Sequence, residues 1–164
     1  MDAEEKLQRD IHPAHREAVT SERTDMNITE IMEYLNTKDR FCVANDMKIT
    51  VLAEGYAEAE MPISENKLNG LDVVQGGAIY TLADFAFAGA SNANREDRRC
   101  IGSATSINYI RPGTGTKLKA VAKIIHAGKK TCLSNVEVFN DQGKLIATAN
   151  FQGFMLEPQG NKSV

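Results

Sequence analysis

Residues 68–94, LNGLDVVQGGAIYTLADFAFAGASNAN, constrain the fold more than any other part of the chain. From Ala78 to Ala90 the residues are apolar on every side apart from Thr81, Asp84 and Gly89. A helix that is apolar all round belongs inside a core, so the rest of the chain has to wrap it. Gln75, Gly76 and Gly77 stand immediately before this run. The first N–H groups of a helix have no partner within it, and glycines leave them unshielded, which makes this end a ready site for an oxyanion. Asp84 then becomes a carboxylate set deep in an apolar helix.

The flanking sequence supplies the wrapping. Ile28, Ile31, Met32 and Leu35 recur at helical spacing and predict a short amphipathic helix from Thr24 or Asp25 to Asn36. Between Phe41 and Ile63 the period changes to two: Ala53, Gly55, Ala57, Ala59 and Met61 alternate with Glu54, Tyr56, Glu58 and Glu60, the pattern of a strand with one wet face. Pro62 stops that ladder, and Ser64 to Val74 forms the loop that delivers the central helix. Beyond the polar break from Asn94 to Arg99, Ile101 to Ile110, Lys117 to His126, Thr131 to Phe139 and Leu145 to Met155 read as four strands, the last two joined by the turn Asn140-Asp141-Gln142-Gly143. One buried helix followed by a meander of strands is an α+β arrangement, an antiparallel sheet curled around a helix.

At 164 residues and 42% hydrophobic content the chain can bury one core without staples. Residues 1–27 form a charged appendage, 28–157 the domain and 158–164 a polar tail expected to be disordered. A net charge of −3 with no long basic block gives no electrostatic footprint for nucleic acid. No apolar stretch reaches membrane-spanning length, since Asp84 interrupts the best candidate, and the acidic start lacks the order of a signal peptide. Cys42, Cys100 and Cys132 are odd in number, widely spaced and without a Cys-x-x-Cys, so neither a disulfide framework nor a zinc knuckle is indicated, and a cytoplasmic location is expected. His12 and His15 could share a helix face, but Pro13 lies between them and no third ligand is near, so they read as solvated surface.

Asn69-Gly70, then Gly76-Gly77, then Leu82-Ala83-Asp84 and Ala86-Phe87-Ala88 resemble the pattern of the hotdog-fold acyl-CoA thioesterases of the phenylacetate-degradation type. Asn108-Tyr109-Ile110-Arg111-Pro112, Gly128-Lys129-Lys130 and Gly143-Lys144-Leu145-Ile146-Ala147 continue the resemblance in order. It implies a hotdog fold and hydrolysis of a fatty or aromatic acyl-CoA, with no metal and no organic cofactor. By the same resemblance, Asp84 activates water or attacks as a nucleophile. Gly76 supplies the oxyanion hole with Gly77 beside it, and Asn69 with Gln75 orients the thioester. Arg111, Lys129 and Lys130 correspond to positions that tend to face the phosphates of coenzyme A, although lysines beside turns are usually only solvated. Gln75 stands where the family usually has a histidine; glutamine can donate a hydrogen bond but carries no proton.

A lone aspartate in an apolar helix reads as a structural group bonded to backbone N–H groups, and it becomes a catalytic candidate only in step with Asn69, Gly76 and Gly77. By the resemblance, Ser103, Thr105 and Ser106 lie on the strand that can bring a hydroxyl near the water, although hydroxyls are common in strands, and His126 ends a strand and reads as a surface or partly packed residue rather than an acid catalyst. Two alternatives stand beside the hydrolase: a non-catalytic acyl-CoA-binding or sensor protein, which the missing histidine favours, and an acyl thioester hydratase or dehydratase, which usually needs a histidine that the central segment lacks. Eight helical steps from Gly76 to Asp84 span about 12 Å, too far for both groups to serve one reacting centre. Two chains related by a two-fold axis would bring one chain's Gly76 to the other's Asp84, so a homodimer at least, or a tetramer as a dimer of dimers, is expected.

Overall fold

The structure, a computed structural model, describes residues 27–93 and 99–156. The appendage with His12 and His15, the tail beyond Leu156 and most of the polar break lie outside the described residues. Helix α1 (Ile28–Lys38) opens on a capping box: Asn27 Oδ1 accepts from the Glu30 N–H and Glu30 Oε2 accepts from the Asn27 N–H. Both orphan donors are satisfied, which fixes the start of the helix at Ile28. Its face carrying Ile31, Met32 and Leu35 leans on the core as the spacing predicts.

The segment read from sequence as a single strand between Phe41 and Ile63 is three elements. Arg40–Ala44 is a short helix, α2, capped by Asp39, whose Oδ1 accepts from the Cys42 N–H at 3.0 Å. Lys48–Ala53 (β1) and Tyr56–Pro62 (β2) form a hairpin in which Ala53 pairs with Tyr56 across Glu54-Gly55. Gly55 takes φ +69°, a left-handed conformation open to glycine at little cost. The alternation of small and charged residues runs unbroken through the turn, so periodicity alone conceals it.

After a 3₁₀ turn at Glu65–Lys67 comes the central helix α3, Gly76–Asn92, followed by β3 (Arg99–Tyr109), β4 (Lys117–Ala127), β5 (Thr131–Asn140) and β6 (Leu145–Leu156). Every pairing is antiparallel, and the six strands form one sheet in the order β1-β2-β4-β5-β6-β3. The inward positions of β2, β4 and β6 are dominated by alanine: Ala57, Ala59, Ala120, Ala122, Ala147 and Ala149 are all buried. Short side chains there let α3 sink into the concave face. Leu82, Phe85 and Phe87 of the helix fill the remaining depth, with Phe87 stacked on Phe151 of β6 at 5.1 Å between ring centroids. Cys42, Cys100 and Cys132 are buried, and no helix among the described residues is long and apolar enough to cross a membrane.

Candidate active site

The chain enters α3 through a loop tied down residue by residue. Asn69 Oδ1 accepts from the N–H of Leu71 at 2.9 Å and of Val73 at 3.4 Å, an Asx-type turn that carries Asp72 at φ +57°. Lys67 is buried, with Nζ at 2.9 Å from Asp46 Oδ2 and 2.8 Å from Ser64 Oγ. Its carbonyl accepts from the Gln75 N–H at 2.9 Å, while the Val74 N–H donates to the Gly113 carbonyl at 3.0 Å.

At the helix N-terminus the Gln75 side chain folds back as the cap. Its Oε1 accepts from the N–H groups of Gly77 and Ala78, and its backbone carbonyl takes the N–H of Ile79 at 3.2 Å. That leaves the Gly76 N–H as the one amide of the first turn with no acceptor among the described residues. The Tyr109 hydroxyl, from the end of β3, donates to the Gly76 carbonyl at 3.0 Å. A Cβ on residue 76 would sit 3.3 Å from Tyr109 Cζ, so glycine admits this close approach of the ring. The side-chain oxygens of Asn69 and Gln75 are thus spent on shaping the loop and the helix start.

Asp84 lies two turns further along α3, partly buried beside β3: its Oδ1 is 3.5 Å from where a Cβ on Gly102 would be. Its carboxylate makes no hydrogen bond or ion pair among the described residues. Burial, and after it the negative charge of Asp39, pushes its pKa above the ordinary carboxylate value. The nearby Cys42 thiol is driven up chiefly by burial and then by Asp39 and Asp84, so it stays protonated and is no nucleophile. Gly77, Thr81, Asp84 and Ala88, spaced four, three and four apart, remain partly accessible while most of the rest of α3 is buried. The helix therefore has one uncovered stripe, and Asp84 is on it.

The three predicted cations do not converge within one chain. Arg111 follows β3, where its Nη1 donates to the Leu145 carbonyl at 2.9 Å. Lys129 and Lys130 sit in the β4–β5 turn, where the Lys130 carbonyl accepts from the Met155 N–H. Leu145 and Met155 lie at opposite ends of β6, roughly 30 Å apart at about 3.3 Å per residue. Within one chain Arg111 and the Lys129-Lys130 pair therefore lie toward opposite ends of β6. Ser103 sits at a β-bulge and donates to the Gln152 carbonyl, Thr105 Oγ1 accepts from the Tyr80 hydroxyl at 3.3 Å, and Ser106 is exposed. His126 is exposed near another bulge in β4. No group of three or more histidine, cysteine or carboxylate side chains is placed to hold a metal among the described residues. Two surface grooves, one lined in part by Asp46, Lys48, Glu60 and Lys117 and one by Lys119, Phe139 and Asp141, contain none of the predicted site residues.

Tyr109 and Lys67 are the two side chains at this site that sequence reasoning assigned no role. Tyr109 was visible only as part of a landmark, and its partner lies 33 residues away. Nothing local marks Lys67, whose partner Asp46 precedes it by 21 residues.

A family model described as Thioesterase superfamily matches residues 71–147. The acyl-coenzyme A thioesterase PaaI of Escherichia coli is 36% identical over 110 residues, covering 66% of this chain and 77% of that one. The proofreading thioesterase EntH of Klebsiella pneumoniae is 25% identical over 100 residues, or 60% of this chain and 73% of that one. The solved structure of the E. coli PaaI protein from the phenylacetic acid degradation operon superposes with a TM-score of 0.72 at 29% identity, covering 85% of this chain and 97% of that one. Taken with a single sheet curled around one helix, these likenesses place the chain in the thioesterase superfamily, as a hotdog-fold member.

Proposed function

We propose that this protein hydrolyses an acyl-CoA thioester to the free acid and coenzyme A. The observation that carries the proposal is a pair of unspent groups on one helix: the Gly76 N–H without an acceptor, and the Asp84 carboxylate without a partner. Attack on a thioester carbonyl moves negative charge onto its oxygen. A fixed N–H at the positive end of a helix stabilises that charge more than it stabilises the neutral ground state. A carboxylate held away from cations keeps its basicity, so Asp84 can take a proton from the attacking water, or attack the carbonyl itself. In either route the tetrahedral intermediate collapses by breaking its C–S bond and coenzyme A leaves as the thiolate; where Asp84 attacks, water then hydrolyses the acyl–Asp84 anhydride to release the free acid. The activity carried by the names of the PaaI and EntH relatives supports the same chemistry.

The site is shared by two chains. Gly76 lies under Tyr109 at one end of β3 and Asp84 beside Gly102 toward the other, so one chain holds the two groups apart. β3 is an edge strand of 11 residues with no Lys, Asp, Glu or Pro from Cys100 to Tyr109, the residues that ordinarily discourage strand addition. Antiparallel pairing of β3 with its two-fold copy, centred near Thr105–Ser106, brings Gly102 opposite the partner's Tyr109. That register sets Asp84 of one chain facing Gly76 of the other and lets the uncovered helix stripes meet. It also brings Arg111 toward the end of the partner that carries Lys129 and Lys130, where the phosphates of coenzyme A would bind.

The test is a panel of acyl-CoAs of differing length and aromaticity, read by release of free thiol, with binding measured in parallel. Thiol release that saturates with substrate is expected. Binding with no thiol release at any chain length would overturn hydrolysis in favour of a non-catalytic binding protein, for which the Gln75 amide in place of a histidine would be the natural mark.

A further inference from the structure

We infer that Tyr109 is a positioning residue for the Gly76 N–H, holding it where the thioester oxygen must arrive. This rests on the hydrolase reading above. Four contacts surround that one amide. The Val74 N–H is fixed to Gly113, the Gln75 N–H to Lys67, and the next two N–H groups to the Gln75 side chain. The peptide plane that carries the Gly76 N–H is held on its Gln75 side, where the Gln75 carbonyl accepts from the Ala78 N–H at 2.9 Å and the Ile79 N–H at 3.2 Å. Glycine is the residue with the widest backbone freedom, and Gly77 follows it. The tether that reaches Gly76 from outside the helix and its entry loop is the 3.0 Å hydrogen bond from the Tyr109 hydroxyl to the Gly76 carbonyl, with the ring packed against the glycine.

Tyr109 is well placed for this work because its own backbone is rigid. It pairs with Ala147 in the β3–β6 ladder. Just beyond it, the Ile110 and Arg111 N–H groups both donate to the Ile146 carbonyl, and the Arg111 guanidinium clamps the Leu145 carbonyl. Arg111 thus braces the strand end from which Tyr109 reaches the helix. Tyr109 is 51% exposed, so packing alone does not hold its ring; the hydroxyl fixes its place over the glycine. An oxyanion donor acts only if it already points at the oxygen when charge develops, so loosening it lowers kcat and leaves substrate affinity nearly untouched.

Tyr109→Phe removes the hydroxyl and keeps the ring. The expected result is a fall in kcat of about fivefold to tenfold, the equivalent of one hydrogen bond, with KM within about twofold. Faster hydrogen exchange at the Gly77 amide, which shares a peptide plane with the tethered Gly76 carbonyl and is bonded to the Gln75 side chain, should accompany it. In a Gly76→Pro background, which has no N–H to position, the same change should have almost no further effect on kcat. Wild-type kcat in Tyr109→Phe, or the same fold loss in both backgrounds, would overturn the inference. Should the wild-type chain hydrolyse no acyl-CoA, the hydrolase reading fails by itself and the exchange rate decides the tether: an unchanged rate at the Gly77 amide in Tyr109→Phe overturns it.

Discussion

Replacing Gly76 by alanine and by proline separates the N–H from the space around it. Alanine keeps the amide and adds a Cβ at 3.3 Å from Tyr109 Cζ and 3.4 Å from its hydroxyl, a few tenths of an ångström too close. Because half of the tyrosine is exposed, the ring can swing outward, at a cost of about 1 kcal/mol for the hydrogen bond to the Gly76 carbonyl. The better helix propensity of alanine offsets up to about 1 kcal/mol of that. Proline adds the same Cβ and deletes the N–H. It is tolerated at the first position of a helix, and it demands an extended residue before it. Gln75 already has φ −61° and ψ 136°, so that demand is met. Both variants should therefore fold, with melting temperatures within a few degrees of the wild type at about 2–4 °C per kcal/mol. An oxyanion donor contributes about 2.7–4 kcal/mol to the transition state, so kcat for Gly76→Pro should lie roughly a hundredfold to a thousandfold below wild type, and at least about tenfold below Gly76→Ala, in which loss of the Tyr109 hydrogen bond alone costs about fivefold to tenfold. The assay is thiol release at saturating acyl-CoA, with thermal melts of both proteins. Two folded variants with equal kcat would refute the role given to the amide.

Asp84→Asn should fold and lose turnover by orders of magnitude, because shape is kept and only the charge goes; turnover near wild type would remove Asp84 from the mechanism. The sign of its effect on stability also follows. The folded-state pKa lies above the unfolded one, so the fold favours the protonated acid, and wild-type stability falls as pH rises through the unfolded and then the folded value. Asp84→Asn should consequently melt higher than the wild type at neutral pH, with the gap closing below the ordinary aspartate range. A gap that widens on acidification would contradict the placement of this carboxylate. For Gln75→Ala, loss of the cap should cost about 1 kcal/mol, while turnover falls only modestly because the Gly76 amide is untouched. A loss of turnover by orders of magnitude at an unchanged melting temperature would mean that Gln75 takes part in the chemistry.

The central helix and its glycine entrance were legible because the signal is local: an unbroken apolar run has one stable environment, and glycines before it leave N–H groups bare. The four later strands were legible for the same reason, each carrying its own alternation. Strand order was not, since nothing in the alternation of Ile101 to Ile110 says that β3 crosses to the far edge beside β6. That missing order is why Tyr109 went without a role. The β1–β2 turn was concealed by an alternation that continues through Glu54-Gly55. The double use of Gln75 as helix cap had no signal either, because glutamine is not among the residues that favour that position.

The shared site is tested most directly by mixing Asp84→Asn with Gly76→Pro, two proteins disabled in different halves of the same site. After each is shown to fold and assemble, subunits are allowed to exchange and the mixed species is confirmed by mass. A mixed dimer would carry one site with an intact Gly76 from the first chain and an intact Asp84 from the second, and one site with neither. Random exchange makes about half of the dimers mixed, so activity should return to about a quarter of the wild-type value per chain. Confirmed exchange with no gain over the two separate variants would contradict a site built from two chains.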